Sequence, residues 1–404
     1  MDKGFVLALG SFVSLNQDLE PLLDVVKRTD PSFATVDPGV IAAHGEVARR
    51  YASEGATERF LLAAMRLLAL AGNGHTRVIP NDAIEVLPLR FVSYGTSAFL
   101  TKTSAPFAEF APCRLIAING VPVERIERES AGLLAGTRQR QRVIGPLLFA
   151  WPAALADLGF GSSSKETRYL LQRSDGTPAE ITVAHGDAVP ASEFYPRNEH
   201  GQVDPVWHFK GFAEIFDCAE TGFALKLPSF FDADRSAFPE AINKATAWVQ
   251  ARRDEVLLVD VRGNTGGDFL LTMPLIDAIT DTARRRGCAV LIDKFTFSAA
   301  IVFVAILKHR LGAKLTIIGE DMGDGLRFFA EGGLIELPCS GAFVRYSTAL
   351  HDWETGSVDP TTPPEIARQI VPVGRLDIDR EWVSTPFDRA PQDVVYRRLI
   401  DDLG

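Results

Sequence analysis

The chain has 404 residues, of which 46% are hydrophobic and 23% charged; this is the balance of a soluble globular protein and excludes a mainly disordered one. At about 150 residues per domain, that length suggests two or three domains. The net charge of −10 argues against nucleic acid as the main partner, because phosphate binding needs clustered cations. Residues 18–72 read as helical, with Leu19, Leu22, Leu23 and Val26 on one period and Phe60, Leu61, Ala64, Leu67 and Leu68 on another. Ala71-Gly72-Asn73-Gly74 stops the second helix, and His75-Thr76-Arg77-Val78-Ile79 opens a strand. His75 therefore stands at a helix-to-strand junction.

Residues 84–186 read as a small β-rich unit with strands at Ile84–Val92, Arg114–Ile118 and Ala179–Val183 and turns at Asn119-Gly120 and Asp175-Gly176. Residues 122–160 interrupt it with a helical stretch, in which Arg138, Arg140 and Arg142 read as a solvated basic loop. Residues 187–215 are polar and irregular and read as a crossover. From residue 222 strands and helices alternate. Phe223–Leu227 and the apolar run Val256–Val261 are strands, and Ala237–Arg253 is an amphipathic helix. Phe269–Ile279 and Ser298–Leu311 read as helices, Ala289–Ile292 and Leu315–Ile318 as strands. Such alternation predicts a helix-covered, largely parallel sheet.

The four cysteines form no CxxC pair, which speaks against a zinc site or a redox pair and for buried thiols. No apolar stretch reaches the ~20 residues of a membrane span. Lys3 and Phe5–Leu9 imitate a signal peptide only weakly. The chain reads as soluble, either cytoplasmic or the trimmed form of an exported protein.

The chemistry concentrates between Val256 and Gly325. After a buried strand, Arg262-Gly263-Asn264-Thr265-Gly266-Gly267-Asp268 leads into a helix. Gly266 and Gly267 can turn backbone N–H groups toward an open site, where they would stabilise an anion or an oxyanion; a plain tight turn is the alternative. The spacing matches neither a P-loop nor a dinucleotide fingerprint. Ser298 follows a strand and short loop and precedes an apolar helix. That is the setting of a nucleophile whose following N–H, on Ala299, serves an oxyanion, and equally that of an N-cap. Of the seven histidines, His75 is distinguished by its glycine-flanked junction. His44 and His309 read as surface residues, and His185, His200, His208 and His351 lie in polar contexts.

Taken together these stretches resemble the tail-specific, or C-terminal processing, serine peptidases, closest to the branch around the tricorn core and the interphotoreceptor retinoid-binding protein modules. Gly74-His75-Thr76 resembles that branch's Gly-His-Thr element, and Ile118-Asn119-Gly120-Val121-Pro122-Val123 the turn of a PDZ-type unit. Asp260 to Gly267 resembles its D-x-R-x-N-x-G-G element, and Phe297-Ser298-Ala299-Ala300 the nucleophile element. The resemblance implies a mixed α/β chain with an N-terminal helical segment (1–82), a PDZ-like β-rich subdomain with a helical insertion (83–190) and a crotonase-like ββα catalytic core (191–404). It implies a serine peptidase in which Ser298 attacks a peptide carbonyl and His75 is the general base. Ala299 and one glycine of the Gly266-Gly267 pair would hold the oxyanion, and Glu354 would orient the imidazole. The implied partner is a polypeptide substrate, with neither metal nor cofactor. Two other readings stand beside it: a peptide- or lipid-binding module without turnover, and a hydrolase or acyl transferase on a small ester or amide. Asp324 stands near the position of the lysine base of the processing branch, Asn73 replaces the usual aspartate before Gly-His-Thr, and Ile301 replaces a frequent glutamate.

Overall fold

A computed structural model describes residues 14–195, 211–218, 222–232, 236–252, 254–388 and 390–403. The chain opens with three helices, α1 (Asn16–Asp24), α2 (Pro38–Ser53) and α3 (Thr57–Ala69). Asp37 caps α2 by accepting the N–H groups of Gly39 and Val40, with Pro38 in the first turn. Strand β1 (Arg77–Ile79) follows at once.

Residues 89–184 form an antiparallel sheet of β2 (Leu89–Tyr94), β3 (Ser97–Thr103), β4 (Cys113–Ile118), β5 (Glu166–Gln172) and β6 (Pro178–Ala184), in sequential order. The single strand expected over 84–92 is two, Glu85–Val86 and β2; Pro88 lies between them and has no N–H to offer a ladder. Strand β5 is an addition to the expectation, although its alternating burial was readable from Thr167, Tyr169 and Leu171. The insertion is not one helix. Short helices α4 (Val123–Ser130), α5 (Arg138–Ile144) and α6 (Pro152–Asp157) are joined by 3-10 turns. The expected solvated basic run lies on α5, and Arg140 is only 3% exposed.

The later part of the chain is built on β7 (Glu214–Asp217), β8 (Gly222–Lys226), β9 (Val256–Asp260), β10 (Cys288–Ile292) and β11 (Leu315–Gly319). Strands β8 to β11 run parallel, as the alternation predicts, and β7 is an antiparallel edge. Successive side chains face opposite layers. Leu257, Val259, Val290 and Ile317 pack with α7 (Ala237–Ala251), α8 (Met273–Arg286) and α9 (Ala299–Leu311). Ala224, Leu258, Ala289, Leu291 and Ile318 pack with Tyr396, Leu399 and Ile400 of α10 (Gln392–Asp401). Helix α9 is apolar nearly all round because it is buried nearly all round. Helix α8 starts later than expected, at Met273, after a 3-10 turn.

Two small sheets follow, one of which joins an early strand to a late one. Strands β12 (Arg327–Ala330), β13 (Gly333–Glu336), β14 (Phe343–Tyr346) and β15 (Ala349–Asp352) follow β11. β1 pairs antiparallel with β14, Val78 opposite Val344, and β12 pairs with β15, Phe328 opposite His351. The early Gly-His-Thr turn is thereby carried to the late part of the chain. All four cysteines are free thiols, three of them buried. Among the described residues no helix is long and apolar enough to cross a membrane. The expected crossover over 187–215 lies largely outside the described residues, as do His200 and His208.

Candidate functional site

The carboxyl ends of the parallel strands carry the chemistry, as is general in open α/β sheets. β9 runs into the glycine loop and β10 into the loop ending at Ser298. A buried lattice of polar contacts sets these loops against each other. Asp293 Oδ1 accepts the N–H groups of Gly263, Phe295 and Thr296, each at 3.0 Å. Asn264 donates to the Leu227 carbonyl at 2.9 Å, accepts the Gly266 N–H at 2.9 Å and presents its own carbonyl to Phe297 N–H at 3.0 Å. Beneath them the buried Asp260 accepts from Arg262 at 2.8 Å and Tyr396 at 2.7 Å and faces Lys226 at 3.2 Å. Burial pushes its carboxyl up, but Arg262 and Lys226 prevail and hold it below the usual carboxylate range.

Ser298 has φ 56° and ψ −124°, a backbone that L residues rarely adopt and that strand-to-helix nucleophile turns impose. Its hydroxyl makes no cap hydrogen bond, so capping does not explain the serine. Gly266 crowds it: a Cβ there would lie 2.7 Å from Ser298 Cβ. Gly267, at φ +135°, has room for no side chain, because a Cβ would fall 2.0 Å from the Phe230 carbonyl. Gly266 N–H is taken by Asn264. Among the described residues, the N–H groups of Gly267 and Ala299 have no acceptor. They flank Ser298 as a pair of donors at a helix start.

His75 is 1% exposed, and neither ring nitrogen has a hydrogen-bond partner. Its ring stacks on Phe297 at 4.3 Å between centroids and on Phe328 at 5.3 Å. Phe328 in turn stacks on His351 at 5.2 Å. His351, which the sequence placed in a polar context, is buried, 3.3 Å from the Glu331 carboxylate. Neighbours of His75 anchor its turn. Asn73 donates to Thr76 at 2.9 Å and Ser347 at 3.0 Å and accepts Phe329 N–H at 3.2 Å, so asparagine here is a brace. Thr76 donates to Asp30 at 2.6 Å. Burial, then Arg345, Arg140, Arg77 and His351, hold the His75 imidazole well below its ordinary pKa. It is neutral at neutral pH and free to accept a proton.

His75 and Ser298 line one cavity of about 610 Å³, together with Gly267, Asp268, Glu331 and Arg345. Glu354 is not brought there. It is exposed in the turn after β15, where its carbonyl accepts Gly374 N–H at 2.9 Å. Glu331, in the turn between β12 and β13, and Arg345, on β14, neither of them revealed by the sequence, bring opposite charges to the cavity beside His75. Glu331 has φ 58°, so two non-glycine residues on the cavity wall carry left-handed backbones. Asp324, near the position of the processing branch's lysine, is half-buried beside Arg140, and burial pushes its carboxyl up to about 6. Among the described residues no lysine lines the cavity with Ser298.

A strained serine at a strand-to-helix turn, two unmatched N–H groups and a neutral imidazole in one cavity make an arrangement suited to acyl transfer, on an α/β sheet covered by helices on both faces. No family model and no curated protein matches the chain in sequence. Solved structures match it in fold. Mature CPAF aligns at a TM-score of 0.56 and 13% identity over 96% of both chains. Mature CPAF complexed with lactacystin aligns at 0.55 and 13% over 96% of this chain and 97% of that one. A photosystem II D1 C-terminal processing protease aligns at 0.41 and 13% over 93% and 94%. The chain has the CPAF fold along nearly its whole length.

Proposed function

We propose that the protein is a serine peptidase acting on polypeptide chains, built from the three regions 1–82, 83–190 and 191–404. Ser298 Oγ attacks the carbonyl carbon of the scissile peptide bond. His75 takes the hydroxyl proton and passes it to the departing amine, leaving an acyl-enzyme that water hydrolyses by the reverse proton path. Gly267 and Ala299 N–H groups receive the oxyanion; loss of one such donor costs about 3–4 kcal/mol of transition-state stabilisation. One observation carries the reading: Ser298, with its left-handed backbone and uncommitted hydroxyl, shares a cavity with an imidazole whose nitrogens are both unmatched.

A fluorophosphonate should label Ser298, and Ser298→Ala should abolish labelling; persistent labelling in that variant removes Ser298 as nucleophile. Lactacystin, present in one of the CPAF structures, is a second probe of the same hydroxyl. Unfolded peptides assayed beside small p-nitrophenyl esters separate a peptidase from an esterase. A binding module without turnover is the competing reading. It is favoured by the charges that weigh most on His75, those of Arg345, Arg140 and Arg77, which oppose the imidazolium that the reaction requires. It predicts no covalent adduct.

A further inference from the structure

The charge beside His75 is unusual in kind. Arg345 on β14 stands directly opposite Arg77 on β1 in the antiparallel register, and like charges in that relation are destabilising. Arg77 spends one guanidinium donor on the Gly74 carbonyl at 3.1 Å. Arg345 lines the cavity, and among the described residues its guanidinium has no hydrogen bond and no ion pair. Glu331 is the carboxylate that acts on it electrostatically, yet Glu331 is engaged with His351. A third arginine, Arg140, is buried nearby with Asp324 as its counter-charge. An unmatched, half-buried guanidinium is costly unless an anion meets it, and its fork is shaped for a carboxylate. The cavity's other acids come from elsewhere. Asp232 is committed to the N–H groups of Ala237 and Phe238. Asp268 accepts Leu270 N–H at 3.0 Å, and Glu365 sits on the short helix Pro364–Ala367. None of these stands on the strand pair that flanks His75.

We propose that Arg345 is the receptor for a carboxylate of the bound peptide, seating it beside His75 in the catalytic cavity. The carboxylate would be either the chain's own terminus or an Asp or Glu side chain. Such an anion offsets the cation that weighs most on the imidazole, so the base gains proton affinity only when substrate is in place. This second effect rests on the peptidase reading; the binding step does not.

The test uses the full chain carrying Ser298→Ala, so that no turnover intervenes, and three labelled peptides of one sequence: free acid, C-terminal amide, and amide with an internal glutamate. Anisotropy should show the free acid or the glutamate peptide binding about ten- to hundred-fold more tightly than the plain amide, the usual range for a charge-assisted pair. Adding Arg345→Gln should bring the ratio close to one, and Arg345→Lys should restore part of it. The peptide that gains identifies the source of the carboxylate. Equal binding of all three, no binding of any, or a preference that survives Arg345→Gln overturns the proposal. Should Arg345→Gln fail to fold, the comparison of acid with amide on the parent chain decides alone. Fluorophosphonate labelling of the unsubstituted protein reports separately on the peptidase reading, so the two failures are distinguishable.

Discussion

The Arg140 guanidinium lies 3.8 Å from the centroid of the Phe297 ring, the residue next to Ser298. Helix α5 therefore reaches from the helical insertion to the nucleophile loop. Two bonds fix it there: Thr137 Oγ1 donates to the Gly323 carbonyl at 3.2 Å and Gln139 to the Asp321 carbonyl at 3.3 Å. Arg140's counter-charge, Asp324, has a carboxyl raised from 3.8 to about 6 by burial. In the folded state it keeps a proton that the unfolded chain gives up. Stability from this group is present below about pH 4 and is lost as pH rises to about 6. The loss amounts to about 3 kcal/mol. Urea unfolding from pH 4 to 7 should show the unsubstituted protein losing stability relative to Asp324→Asn across that window. A constant difference would show that Asp324 ionises normally.

His75 yields a pH prediction of the opposite sense. Burial and the arginines lower its pKa below 6.5, so kcat/KM should stay level from pH 8 through 6.5 and fall only on the acid side. The same depression makes neutral His75 stabilising above pH 6.5, with that contribution lost as pH falls toward the folded value. His75→Gln should abolish turnover and remove this acid sensitivity from the unfolding curve. An activity limb above pH 6.5 would show that the cations do not act on the imidazole.

Gly267→Ala should lower kcat about 10²-fold or more, the usual effect of a lost oxyanion donor. The added Cβ would overlap the Phe230 backbone, so the loop must move and carry the N–H with it. Ser298 labelling should slow in parallel, while circular dichroism stays close to that of the parent. Unchanged labelling would place the oxyanion elsewhere.

Glu354→Gln should leave kcat/KM within about two-fold, as is ordinary for an exposed residue away from the reacting groups. Its carboxylate is exposed in a turn and does not line the cavity. A loss of about 10²-fold, the scale of an acid–base partner, would return the orienting role to Glu354 and require the turn to close over His75.

The parallel strands were legible because Val256–Val261, broken only by Asp260, and Ala289–Ile292 are apolar runs, and such runs bury on both faces. Ser298 and the glycine pair were legible because turn chemistry and a helix start are local signals. His75 stood out for its glycine flank, but its meeting with Ser298 depends on β1 pairing with β14, a contact no local pattern encodes. Arg345 and Glu331 escaped for that reason: Arg345 lies on a short strand and Glu331 in the turn between two others, where burial alternates over only a few residues. Arg140 was misread because a basic run ordinarily faces water; here Phe297 and Asp324 give it an interior berth.

The fastening of the His75 turn has a consequence for biosynthesis. Asp30 Oδ2 accepts from both Thr76 at 2.6 Å and Ser347 N–H at 2.8 Å, and Asn73 grips Ser347 as well. A nascent chain that has not yet emerged past residue 347 thus holds the His75 turn by fewer bonds. The turn is fastened only when Asp30, Asn73, Thr76 and Ser347 have met, so its order waits on the folding of the late strands.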